Sequence, residues 1–147
     1  MHKFVILIGM TMLAGCSSTP PMVSVKGVVK RNGQPVEHCQ VCFYPDRDDA
    51  NPLEHGYGIT VTGPDGSYEI KNALGDTGIF PGTYRVVLVL YHENRTGKTM
   101  PMNMKPSEVP GGVKNVMPVE YSDPRTSPET IVVPRGGLVK NFDISAP

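Results

Sequence analysis

Histidine and cysteine residues are concentrated in one short segment, where they suggest a metal site. His38, Cys39 and Cys42 lie within five residues of chain, and zinc is usually held by four Cys or His ligands in a tetrahedron. The segment 36–44 alternates like a strand, whereas two cysteines at this spacing can share a metal only across a turn. The other histidines are isolated in the sequence and supply no second ligand pair. We therefore expect no metal site and no bound cofactor.

The same two cysteines are also candidates for a disulfide. Residues three apart on a strand point to opposite faces, and three residues of strand span roughly 10 Å, beyond the ~7 Å limit between bridged Cα atoms. We predict that Cys39 and Cys42 are not bridged. Cys39 is expected to be a small buried residue, and Cys42 to face outward or toward a covering loop.

Three residues match the requirements of an internal isopeptide bond, in which a lysine amine joins an asparagine side chain beside a carboxylate. They are Lys26, Glu69 and Asn141. Such a bond must lie inside the core, yet strand alternation points Lys26 away from its valine neighbours and Asn141 away from Phe142. We expect both residues on the surface and no cross-link.

The segment 92–118 is rich in proline, glycine and methionine and has no clear period. So long an irregular insertion in a small domain is typical of a functional or a mobile loop. Its methionines are Met100, Met102, Met104 and Met117. Thioethers suit adaptable binding surfaces and Cu(I). Packing of these methionines against the domain is the favoured interpretation, and a ligand or metal site is the alternative.

Four tyrosines could stack against sugar rings if they shared one face. They are Tyr44, Tyr57, Tyr91 and Tyr121. The spacing does not place them together, and aromatic residues in strands usually serve packing. A carbohydrate-binding surface is therefore only one interpretation of them.

The sequence lacks the motifs of common enzymes and of nucleic-acid binding. It contains no Gly-x-Ser-x-Gly nucleophile motif and no His-x-x-Glu zinc motif. Acidic and basic side chains balance at fourteen each, with no basic run, which argues against a nucleic-acid partner. We predict a protein that is not an enzyme and has no catalytic residues.

The first sixteen residues have the pattern of an export signal with a lipid attachment site. Lys3 precedes an apolar stretch, 4–12, which is far shorter than the ~20 residues of a membrane-spanning helix. Leu13-Ala14-Gly15-Cys16 resembles the lipobox of bacterial lipoproteins, in which the cysteine sulfur carries a diacylglycerol and the signal is cut before it. An ordinary signal peptide with an incidental Cys16 is the alternative.

The resemblance implies a signal peptide over 1–15 and a lipidated Cys16 that starts a polar, proline-bearing tether over 16–22. Stable anchoring takes more than one acyl chain, which a diacylglycerol with a further palmitate-like chain supplies. The predicted location is the cell envelope, on a membrane and facing the periplasm or the cell exterior.

The remaining chain, 23–147, contains short β-rich runs separated by turns. Sixteen glycines and fifteen prolines favour turns over helix, and Asn32-Gly33 is a strong hairpin signal that pairs the first run with 36–44. The most apolar run, 84–91, is expected at the centre of a sheet. About seven strands predict an all-β sandwich; we place them at 23–30, 36–44, 56–62, 67–70, 84–91, 129–133 and 138–144.

The order of these runs resembles the carboxypeptidase regulatory-like domain, a transthyretin-like Greek-key sandwich of about seven strands. The matching segments are VKGVV at 25–29, NGQPV at 32–36, VCFYP at 41–45, TGPDGSY at 62–68 and FPGTYRV at 80–86. The C-terminal part, with residues 118–121 and 126–128 before the last strands, resembles that of small planctomycete-type lipoproteins. Related hydroxyisourate hydrolases end in Tyr-Arg-Gly-Ser, which this chain lacks, so the resemblance implies a packing or adhesion module.

Together these observations predict a non-catalytic, lipid-anchored module for interaction with an envelope protein or a glycan. The alternative is a periplasmic ligand- or metal-binding protein that uses the 92–118 insertion.

Overall fold

The computed structural model describes residues 20–47, 56–100 and 103–145. The predicted signal peptide, Cys16, most of the tether and Met102 lie outside these residues. Within the described ranges, no helix is long and apolar enough to cross a membrane.

Short strands carry nearly all of the regular structure, and two single-turn 3-10 helices, Pro106–Glu108 and Val119–Ser122, are the helical segments of the described residues. The strands are β1 (Val25–Arg31), β2 (Gln34–Pro35), β3 (Gln40–Pro45), β4 (Gly58–Val61), β5 (Ser67–Glu69), β6 (Lys71–Asn72), β7 (Gly82–Val89), β8 (Tyr91–Glu93), β9 (Val113–Asn115), β10 (Thr130–Val133), β11 (Leu138–Val139) and β12 (Phe142–Ile144).

Two sheets pack face to face. In the first, β1 pairs antiparallel with β5 and β2 and parallel with β11 and β12. In the second, the order is β10-β7-β3-β4-β6. Their facing sides share one apolar core that includes Val25, Phe43, Tyr84, Leu88 and Phe142. The prediction of an all-β sandwich is therefore confirmed. The most apolar run forms β7, an interior strand between β10 and β3.

The predicted pairing of the first strand with 36–44 is wrong. Asn32 and Gly33 do form a tight turn, with φ of 52° and 77°, and both residues tolerate this left-handed conformation. The returning strand is only β2, because the chain then turns at residues 37–38 and crosses to the other sheet as β3. The strand thus begins at Gln40 rather than at residue 36.

The insertion 92–118 is more ordered than its sequence predicts. β8 and β9 form an antiparallel pair, with His92 opposite Lys114, and the Leu90 carbonyl accepts a hydrogen bond from the Val116 amide. The two ends of the segment therefore pair as a two-stranded arm that follows β7 in the chain.

The last strand is also interrupted, since residues 140–141 separate β11 from β12. At this break the backbone passes directly over Gly27, where an added Cβ would overlap the Lys140 carbonyl oxygen. That oxygen accepts a hydrogen bond from the Tyr68 hydroxyl at 2.6 Å, and the Val28 amide donates to Asn141 Oδ1 at 3.0 Å. We call this arrangement of Gly27, Tyr68, Lys140 and Asn141 the terminal clasp.

The isopeptide candidates lie on the surface, as expected. Lys26 and Asn141 are exposed, and Lys26 pairs opposite Glu69 on β5. The Asn141 side chain is used instead as a hydrogen-bond acceptor in the terminal clasp.

We predict that Gly27→Ala lowers the free energy of unfolding by about 2 kcal/mol or more, because the new methyl group must displace backbone rather than a side chain. Gly136→Ala is the matched control, since an added Cβ there meets nothing within 4 Å; its effect should stay within about 0.5 kcal/mol. Urea denaturation of both variants measures the difference. Equal stabilities would contradict the close approach at Gly27.

Candidate functional site

A pocket of about 250 Å³ lies on the outer face of the second sheet, β10-β7-β3-β4-β6, on the side opposite the core. Its floor is one row across three strands, in which Gln40 pairs with Val61 on one side and with Val89 on the other. The insertion supplies one wall. Among the described residues, the lining consists of His38, Gln40, Val61, Val89, Tyr91, Thr99, Met100 and Pro106.

The outer face is apolar because strand alternation places valines on it as well as on the core side. Val86 and Leu88 point into the core, so Val87 and Val89 point outward. Val87 pairs with Cys42, and both are buried although neither belongs to the core cluster. This second apolar layer leads from the middle of the sheet to the pocket.

His38 stands at the pocket in a left-handed backbone conformation, with φ of 62°. Few residues other than glycine adopt this conformation, and histidine is among those that tolerate it. The turn that holds it is fixed by backbone hydrogen bonds to Thr62: the His38 amide donates to the Thr62 carbonyl, and the Thr62 amide donates to the Cys39 carbonyl. The Nε2 atom of His38 lies 3.4 Å from a Glu37 carboxylate oxygen.

The Thr62 side chain completes this turn. Its buried hydroxyl accepts a hydrogen bond from the Cys39 amide at 2.9 Å and donates one to the Val36 carbonyl. A single threonine thus satisfies two polar backbone groups at the point where the chain crosses between sheets. This role of Thr62 is not predictable from the sequence pattern, because a strand assignment over 36–44 contains no turn.

Cys39 and Cys42 are both free and both buried, and they lie on opposite sides of their sheet. Cys39 belongs to the core, as predicted. Cys42 is on the outer side, as predicted, but it is only 3% exposed and contacts the Tyr57 hydroxyl. Burial raises the pKa of Cys39 to about 12 and that of Cys42 to about 11. Both thiols therefore remain protonated at neutral pH and are poor nucleophiles.

The structure does not bring the predicted metal candidates together. Cys39 and Cys42 face opposite sides, so His38 cannot join both around one ion. In the part of the chain that the structure describes, no three His, Cys, Asp or Glu side chains form a group that could hold a metal. In the neighbouring arm, burial and the positive charges of Arg31 and Lys114 lower the pKa of His92.

The four tyrosines are distributed over three places. The rings of Tyr44 and Tyr57 pack with centroids 4.9 Å apart, Tyr91 lines the pocket, and Tyr121 packs against the core. They do not form one stacking platform, and Tyr91 is the tyrosine that a pocket ligand would contact.

The described methionines of the insertion also differ in their roles. Met117 is part of the core, which agrees with the packing interpretation. Met100 lines the pocket, and Met104 is half-buried outside the pocket lining.

The comparisons with known proteins do not assign a family. No protein-family model matches the chain, and no curated protein matches it. Among solved structures, the crystal structure of a 9R-lipoxygenase from Cyanothece PCC8801 is 12% identical, with a TM-score of 0.34. The match covers 93% of this chain and 18% of the lipoxygenase chain. A likeness this low carries no argument about activity.

Replacing Thr62 with valine should destabilise the turn that carries His38. Thr62→Val keeps the side-chain shape but leaves the Cys39 amide and the Val36 carbonyl without their partner, at a cost of about 1–3 kcal/mol. Thr62→Ser is the matched control, because it keeps the hydroxyl. Chemical denaturation and hydrogen exchange of the Cys39 amide measure the effect. Equal losses in both variants would show that the hydroxyl is not what fixes the turn.

Proposed function

We propose that this protein is a non-catalytic, lipid-anchored module of the cell envelope, which binds an envelope protein or a glycan at the outer-sheet pocket. The lipobox-like Leu13-Ala14-Gly15-Cys16 supports the anchor. The pocket itself is the observation that supports the binding role. Val61 and Val89 give its floor an apolar surface, and Gln40 and His38 add polar groups. The finer assignment to a transthyretin-like, carboxypeptidase regulatory-like domain is part of the same proposal.

The position of the pocket favours contact with a partner away from the membrane. Met22, the last residue of the predicted tether, lies beside Asn72, and Asn72 pairs with Gly58 at the start of β4. The pocket floor includes Val61 at the other end of β4. The tether and the pocket are therefore at opposite ends of this strand, so an anchored domain would present the pocket outward.

The chemistry of the lining favours one inserted group over a flat contact. Val61, Val89, Met100 and Pro106 offer apolar surface, and the Gln40 amide can both donate and accept hydrogen bonds. An apolar side chain of a protein, or the apolar face of a sugar ring with its hydroxyls toward Gln40, matches this arrangement. The buried thiols, with their raised pKa values, offer no nucleophile to a bound molecule.

A second candidate function is small-ligand or metal binding that uses the insertion. Thr99, Met100 and Pro106 of the insertion form part of the pocket lining, which is the observation that favours it. At this pocket Met100 is the thioether that could serve as a metal ligand, whereas Met117 is enclosed in the core.

Met100→Glu should weaken capture of the partner, because it places a charge in a mostly apolar pocket. We expect affinity to fall about tenfold or more, as an uncompensated buried charge costs upward of ~1.4 kcal/mol. Met104→Glu is the matched control in the same insertion, outside the pocket lining. The measurement is quantitative pull-down from detergent-extracted envelopes, together with binding to an array of envelope glycans.

Retention of the same proteins or glycans by Met100→Glu would reject the pocket as the binding site. Metal analysis of the purified protein separates the two candidate functions. Stoichiometric copper that is lost in Met100→Leu would favour the metal-binding alternative over the interaction module.

A further inference from the structure

Leu74 is the most exposed of the large hydrophobic residues in the described chain. Its exposed fraction is 87%, compared with 82% for Val119. A single exposed leucine is common on protein surfaces, so its meaning depends on how it is held and on what lies near it.

The loop that carries Leu74 is fixed by a network centred on Asn72. The side-chain oxygen of Asn72 accepts hydrogen bonds from the amides of Leu74 and Asp76, both at 2.9 Å. The Asn72 amide donates to the Asp76 carbonyl, and the Gly75 amide donates to the Asn72 carbonyl. Gly75 adopts the left-handed conformation that closes the turn, with φ of 92°. Leu74 is therefore presented at the tip of an ordered loop and needs no rearrangement to contact a partner.

The N-terminal segment meets the body of the protein at this same loop. Asn72 Nδ2 donates to Met22 Sδ at 3.4 Å. Val23 then forms a β-bridge with Ile79. Met22, Leu74 and Phe80 are among the residues that line a shallow pocket of about 320 Å³ beside the loop. The end of the domain that faces the tether is thus apolar as well as ordered.

The length of the tether limits how far this end can lie from the lipid. Five residues lie between Cys16 and Met22, and the six residue steps of a fully extended chain span at most about 22 Å. The polar headgroup region is roughly 5–8 Å deep on each side of the hydrocarbon core. A domain held by so short a tether keeps the Asn72 loop close to the membrane surface.

We propose that the loop Asn72–Asp76 docks on the membrane that holds the Cys16 lipid, with Leu74 inserted among the headgroups. This inference rests on the lipid anchoring proposed above. Lys71 and Asp76 flank the loop with opposite charges, so apolar burial, rather than attraction to anionic lipid, drives the contact. Neutral phosphatidylcholine is therefore a sufficient surface.

The test uses the absence of tryptophan from the chain. The full lipidated protein carrying Leu74→Trp is reconstituted into phosphatidylcholine vesicles, with or without bromine atoms on the acyl chains. We expect a blue-shifted emission and a loss of intensity that occurs only in the brominated vesicles. The matched control is Val119→Trp, which is similarly exposed and follows the Val116–Leu90 contact at the other end of the domain. It should show neither effect.

The outcomes separate failure of this inference from failure of the anchor. Protein that does not float with the vesicles overturns both proposals. Protein that floats, but in which Leu74→Trp is quenched no more than Val119→Trp, leaves the anchor standing and overturns the docking. A blue shift without quenching by bromine means that a second copy covers Leu74, which also overturns it. Ala73→Trp, at the neighbouring exposed position, repeats the test if Leu74→Trp fails to fold.

Discussion

The first sheet, which is built around β1, depends on the close approach of the Lys140 carbonyl to Gly27. β1 is the centre of that sheet, and it has the last strands of the chain, β11 and β12, as its parallel neighbours. Val25 and Leu138, for example, are paired although they lie 113 residues apart in the sequence. A pairing between such distant residues must offset the loop-closure entropy of the chain between them. Only glycine at position 27 leaves room for the break between the two final strands.

The second sheet depends on burial of both faces of β7. One face supplies Tyr84, Val86 and Leu88 to the core, and the other directs Val87 and Val89 toward the outer layer and the pocket. At residues 36–39 the chain crosses between the two sheets, and Thr62 fixes the turn that carries His38. The candidate binding site is consequently built on the same strands that hold the core together. Rigid strands of this kind position a site more accurately than mobile loops do.

The sequence was sufficient for the class of fold, because alternation and turn residues act locally. Asn32-Gly33 and the apolar run of β7 both behaved as their composition predicts. The crossing at residues 36–39 was missed, because it depends on a threonine that is distant in the chain. The pocket was missed for a similar reason: its floor is a register of three strands. The run of apolar residues in β7 was nevertheless a usable signal, because a strand that is apolar at successive positions is expected to be buried on both faces.

We propose that this sandwich is held at a membrane by a lipid on Cys16, with its pocket directed away from the membrane. Mass spectrometry of the N-terminal peptide, from protein purified out of the membrane fraction of the native host, tests the claim most directly. Lipid anchoring predicts a peptide that begins at Cys16 and carries a diacylglycerol on the sulfur. A peptide that begins elsewhere, or an unmodified Cys16, would contradict it.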